Sequence, residues 1–283
     1  MKFGLMYANV GPFGTPEGLT HLARSAEAAG LESLWTVEHV VVPTGYQSAY
    51  PYSADGKMPG PEQSPIPDPF VWLSYAAAVT ETIRIGTGVL ILPQRHPFYV
   101  AKAVASLDVL SKGRVELGVG IGWLEEEFTG LGVAFKERVG RTEESIGALR
   151  SLWSEGPSEV KGRYYRWNPV ESNPKPVAGR VPIHVGGHVE GAARRAARLG
   201  DGFFPARPES LDANLAALRD ECEKIGRDPD EIEISTGGAF TLDAVRKLED
   251  KGVSRIVTGP PGFTPDQIEK GFDTWVDQVF SKF

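Results

Sequence analysis

The sequence predicts an α/β fold of the (β/α)8, or TIM barrel, class. Strand-like and helix-like segments alternate along the whole chain. The strand-like runs are almost continuously apolar, the pattern of a parallel sheet covered by helices. The units number eight, which closes a barrel. A doubly wound open sheet needs no eighth unit and predicts a glycine fingerprint after its first strand. Residues 9–14, Asn-Val-Gly-Pro-Phe-Gly, are no such fingerprint. The 283 residues are expected to form one domain, since α/β barrels reach about 250 residues as a unit.

The first strand is expected over 2–8. Thr15 is the expected N-cap of the helix behind it, with Pro16 at the first helical position. Leu19, Leu22, Ala23 and Ala26 follow at helical spacing, and Gly30 ends that helix. The second strand, 32–37, ends in Glu38 and His39. Residues 40–67 hold three tyrosines and six prolines and fit no periodicity, so they read as a long lid loop. A helix over 69–82 and a strand over 83–92 come next, the strand interrupted by Gly86 and Gly88. Then come a helix over 97–112 and a strand over 114–120. Helical character resumes at 123–129 and again at 138–154.

A small β-rich insertion over 158–170, turning at Lys161, Gly162 and Arg163, precedes the fifth barrel strand at 182–187. A helix runs from 192 to 199 and a sixth strand covers 201–205. Leu211, Leu215, Leu218, Cys222 and Ile225 mark one apolar helix stripe, which gives Cys222 a core role. Strands over 231–236 and 254–258 flank a helix at 241–251. The last helix opens with Thr264, Pro265 and Gln267, a capping box.

Composition narrows the function classes. A net charge of −7 argues against a nucleic-acid surface. No run approaches the roughly 18 apolar residues of a membrane span, and the N-terminus reads as a strand start, so the expected location is the cytoplasm. A lone cysteine excludes an internal disulfide framework and a cysteine-based zinc site. His184 and His188 stand four apart, but Gly186 and Gly187 lie between them and no helix aligns the pair, so no metal is expected.

In a barrel the chemistry sits at the C-terminal ends of the strands. Those ends form a glycine-lined mouth without the paired carboxylates of a glycosidase or the Gly-x-Ser-x-Gly elbow of a hydrolase. A mouth of backbone amides with a histidine and aromatics suits a planar, phosphorylated cofactor. Gly186, Gly187 and His188 lead into a helix, where exposed N–H groups receive phosphate. Gly86 and Gly88 mark a bulge or close backbone approach. Gly118, Gly120 and Gly122 have the wrong spacing for a dinucleotide fingerprint but offer a flat backbone surface.

Together these residues resemble the luciferase-like monooxygenase superfamily, (β/α)8 flavin and deazaflavin enzymes. The resemblance covers most of the chain. It rests on Trp35-x-x-Glu38-His39, 85–90, Arg95-His-Pro97, 113–123, Arg138-x-Gly-Arg-x-x-Glu144, 182–187 and the run 196–202. The most similar branch uses coenzyme F420, an 8-hydroxy-5-deazaflavin. It implies Glu38 and His39 as catalytic residues that also contact the cofactor. A non-prolyl cis peptide is implied at Gly88–Val89, behind the deazaflavin ring. Thr87, Gly88, Val89, Gly120, Gly122, Gly186, Gly187, His188 and Arg207 complete the implied cofactor site. Sugar-phosphate dehydrogenases of the branch carry an acidic glutamate where this chain has Trp123. Trp123 with Tyr46, Tyr50 and Trp72 suits a flat apolar substrate instead. The resemblance also implies a homodimer. Its alternative on the same scaffold is an FMN-dependent monooxygenase that uses O2 and reduced flavin from a separate reductase; a further alternative is a barrel that binds a flavin or deazaflavin without catalysis.

Overall fold

The computed structural model describes residues 1–205 and 208–283. The chain runs β1 (Lys2–Leu5), α1 (Pro16–Ala28), β2 (Ser33–Thr36), α2 (Pro69–Val79), β3 (Arg84–Ile91), α3 (Pro97–Leu110) and β4 (Val115–Gly120). It continues through α4 (Glu125–Gly130), α5 (Arg138–Trp153), and β5 (Ser158–Lys161) with β6 (Arg166–Val170). The last part is β7 (Ile183–Gly186), α6 (Glu190–Leu199), β8 (Gly202–Phe204), α7 (Leu211–Ile225), β9 (Glu233–Gly237), α8 (Leu242–Glu249), β10 (Arg255–Thr258) and α9 (Pro265–Gln278). Among the described residues, eight strands close in the order β1-β10-β9-β8-β7-β4-β3-β2, and every pair around the ring is parallel.

The antiparallel pair β5–β6 is the expected insertion. It is held from α5, where the Glu144 carboxylate accepts the N–H groups of Arg163, Tyr164 and Tyr165. The helices turn their expected faces inward: Leu19, Leu22, Ala23 and Ala26 of α1 are buried, as is Cys222 of α7. The capping box of α9 forms between Thr264 and Gln267. No helix among the described residues is long and apolar enough to cross a membrane.

The barrel floor is charged rather than apolar. Arg255, fully buried at the start of β10, donates to Glu32 at 2.8 and 2.9 Å and to Ser235 at 3.1 Å, and pairs with Glu233. Its guanidinium lies 5.2 Å from the centre of the Trp35 ring. Beside it Glu116 accepts from Arg84 and lies 2.6 Å from His184 Nε2. Burial alone would raise the Glu116 carboxyl. The hydrogen bond and field of His184, with the charges of Arg84 and Arg255, outweigh it and hold the group at about 2. Each buried charge has a partner, as burial in a low-dielectric interior requires.

The upper half is shaped by β3. Its pairing to β4 shifts register between Thr87 and Leu90, the bulge that the two glycines announce. The Gly88–Val89 peptide is cis. The glycines of β4 are crowded by β3. A Cβ on Gly118 would stand 1.9 Å from the Thr87 carbonyl oxygen, and one on Gly120 would stand 2.5 Å from Val89 Cγ2. On β7, the strand paired with β4, a Cβ on Gly186 would stand 2.6 Å from Val89 Cγ1. These glycines admit the β3 bulge, and the Val89 side chain occupies the surface they leave. Thr87 is likewise committed within the sheet, its hydroxyl donating to the Gly118 carbonyl at 2.7 Å.

Candidate active site

His39 and Glu38 leave the end of β2 in different directions and do different work. Glu38 is 5% exposed. One of its oxygens accepts the Ile91 N–H at 2.6 Å and the other accepts the Arg95 guanidinium, with Nε at 2.7 Å. Arg95 also donates to Asp68 at 2.8 Å, and Asp68 caps the first turn of α2 through Phe70 and Val71. Although burial works against its charge, Glu38 and Asp68 raise the pKa of Arg95. This chain of charges ties the end of β2 to the end of β3 and to the start of α2. Glu38 is therefore a corner post of the mouth, bonded to Ile91 and Arg95 while His39 meets Glu127.

The partner of His39 is Glu127. On α4, Glu127 is fully buried, and its Oε2 lies 3.0 Å from His39 Nδ1. Its Oε1 accepts the N–H groups of Val40 and Val41 at 2.6 and 3.2 Å. That contact engages Nδ1 and leaves Nε2 as the other ring nitrogen. With the lid in place the His39 side chain is 8% exposed.

The lid, residues 40–67, contains no helix or strand yet is fastened throughout. Glu126 accepts Ser48 Oγ at 2.6 Å and the Gln47 N–H at 2.7 Å, and these bonds hold its carboxyl at about 2. The Tyr46 hydroxyl accepts the Met58 N–H, and buried Asn9 donates to the carbonyls of Val37 and Pro67, closing the two ends of the loop.

Aromatic rings span the mouth under this loop. Ring centres lie 5.7 Å apart for His39 and Trp123, 5.5 Å for Trp123 and Tyr46, and 5.1 Å for Trp123 and Tyr50. The row continues from Tyr50 to Tyr52 at 5.2 Å and from Tyr52 to His188 at 5.0 Å. It thus links the end of β2 to the end of β7. The structure brings Tyr46 and Tyr50 against Trp123, which lies beside His39. Trp72 lies outside this row: it is 2% exposed, packed in the core, with its indole N–H on the Phe13 carbonyl at 2.7 Å.

At the far side, Gly187 has a φ of 141°, and α6 begins after it with no side-chain cap on its N-terminus. The first-turn N–H groups there suit an anionic group. Gly122, with a φ of 78°, turns the chain out of β4 against Phe128 and Ile91. Arg207 lies outside the described residues. No group of His, Cys, Asp and Glu among the described residues is arranged to hold a metal.

Sequence comparison places these features among relatives. The model of the family described as luciferase-like monooxygenase matches residues 1–254. An uncharacterised protein of Mycobacterium tuberculosis is 37% identical over 241 residues, spanning 84% of this chain and 83% of its own. An F420-dependent glucose-6-phosphate dehydrogenase of Nakamurella multipartita is 33% identical over 260 residues, 88% of this chain and 71% of that one. The crystal structure of a monooxygenase from Streptomyces bottropensis covers all of this chain and 99% of its own, with a TM-score of 0.79 and 23% identity. At that identity the likeness shows the fold alone.

Proposed function

The chain is an oxidoreductase that belongs to the luciferase-like monooxygenase family, in its F420-dependent branch, and from that premise we propose that it moves a hydride between coenzyme F420 and a small apolar or aromatic substrate. The observation that carries this reading is His39, fixed at the mouth by Glu127 beneath a row of rings. The residues present fit a planar, phosphorylated cofactor. Val89, filling the bare surfaces of Gly120 and Gly186, offers an apolar wall for a ring system. The uncapped start of α6, just after Gly187 and His188, offers backbone donors for a phosphate.

When bound, the deazaflavin supplies a hydride donor or acceptor at its C5. His39 takes up or delivers the accompanying proton at Nε2, as a positioned imidazole does in general acid–base chemistry. The lid excludes water from that exchange. Trp123, Tyr46 and Tyr50 would form an aromatic wall of the substrate space, which favours a flat apolar molecule over a sugar phosphate. Titration of the purified protein with F420 and with FMN tests the cofactor assignment: F420 is expected to bind, and binding of FMN alone would favour a flavin monooxygenase with its own reductase.

We also propose a homodimer formed through α2 and α3. The α2 sequence holds no charged residue, and Val71 and Tyr75 on its outer face are 70% and 45% exposed. On α3, Tyr99 and Leu110 are 80% and 75% exposed. A helix apolar on all sides calls for a covering partner, and a second copy of this chain supplies one with the same face. Light scattering on the eluting protein is expected to give twice the chain mass; a monomer at micromolar concentration would remove the proposal.

A further inference from the structure

We propose that Glu127 is a positioning residue that sets the tautomer of His39 and ties it to the closed lid; this rests on the reading of His39 as the proton-transfer group. One carboxylate carries both functions. Its Oε2 faces His39 Nδ1 at 3.0 Å, and its Oε1 receives the first two lid amides, Val40 and Val41. Glu127 is fully buried, and among the described residues no lysine or arginine forms an ion pair with it, so His39 is its ring partner.

The two oxygens have distinct loads, which makes the role testable. In Glu127→Gln the amide oxygen must face the Val40 and Val41 N–H groups, because two donors cannot oppose the NH2 group. The NH2 group then points at His39 Nδ1 and donates to it. The ring proton moves to Nε2, and neutral His39 loses the lone pair that accepts a proton on the substrate side. The lid contacts survive while the tautomer inverts. In a serine protease, the equivalent amide substitution behind the catalytic histidine costs about 10⁴-fold through the wrong tautomer.

The experiment is long-range ¹H–¹⁵N spectroscopy of the protein labelled with ¹⁵N-histidine, the His39 ring being assigned by its loss in His39→Gln. The wild type is expected to carry the His39 proton on Nδ1, Glu127→Gln to carry it on Nε2, and Glu127→Asp to keep it on Nδ1. Turnover with F420 is expected to fall roughly 10²–10⁴-fold in Glu127→Gln, with F420 binding retained. A wild-type proton on Nε2, or an unchanged tautomer in Glu127→Gln, overturns the role of Glu127. Where Glu127→Gln does not fold, the wild-type and Glu127→Asp tautomers still decide. Full turnover in His39→Gln would instead overturn the proton-transfer reading, whatever the tautomer.

Discussion

Replacing His39 by alanine is expected to lower turnover by about 10²–10⁴-fold, the usual contribution of a positioned acid or base, while F420 still binds. The ring lies at the mouth beside Trp123, so its removal takes away the proton route without touching Val89 or the start of α6. Alanine also leaves the buried Glu127 without its ring partner. His39→Gln separates the two effects, because its amide keeps an N–H donor for Glu127. Turnover is expected to be lost in both variants, whereas thermal stability is expected to suffer more in His39→Ala. Cofactor absorbance followed against a panel of small alcohols, ketones and aromatic acceptors reads the first quantity. Equal turnover in His39→Gln and wild type would assign His39 to the lid alone.

Arg95→Met is expected to destabilise the protein by about 3–5 kcal/mol, the cost of leaving a buried charge without its partner. Glu38 keeps only the Ile91 N–H, and Asp68 loses the guanidinium that joins it to the end of β3. At roughly 2–4 °C per kcal/mol for a chain near this size, Tm drops by about 10 °C. The double variant Arg95→Met with Glu38→Leu is expected to recover most of that loss, since it removes both charges together. A Tm within a degree of wild type in Arg95→Met would contradict the corner-post role of Glu38.

Most of the barrel was legible because its strands are apolar on both faces and its helices carry regular caps. Strand ends were read long. The first was expected to reach residue 8, but β1 stops at Leu5, and Tyr7 turns the chain with a φ of 60°. At the candidate site the sequence marks single residues, such as His39 and the lid tyrosines, but not the contacts that join distant partners. Glu38 meets Arg95 only through the fold, 57 residues away. Glu127 was hidden in a run of three glutamates that reads as a solvated surface. Helical spacing held the missing signal: Leu124, Glu127 and Phe128 share one face, and all three are buried. The floor network left a similar trace in the charged residues at strand starts, Lys2, Arg84, Glu233 and Arg255. The close approach of β3 to Gly118 and Gly120 was likewise beyond the sequence, because it depends on a neighbouring strand.

The central claim is the use of a deazaflavin at a mouth where His39 moves the proton. The most direct measurement is a parallel equilibrium titration of the purified protein with F420 and with FMN, each oxidised and reduced, followed by fluorescence and absorbance. F420 is expected to bind in both redox states, with affinity preserved in His39→Gln, and FMN to bind at least tenfold more weakly. Tight binding of FMN with no binding of F420 would contradict the claim.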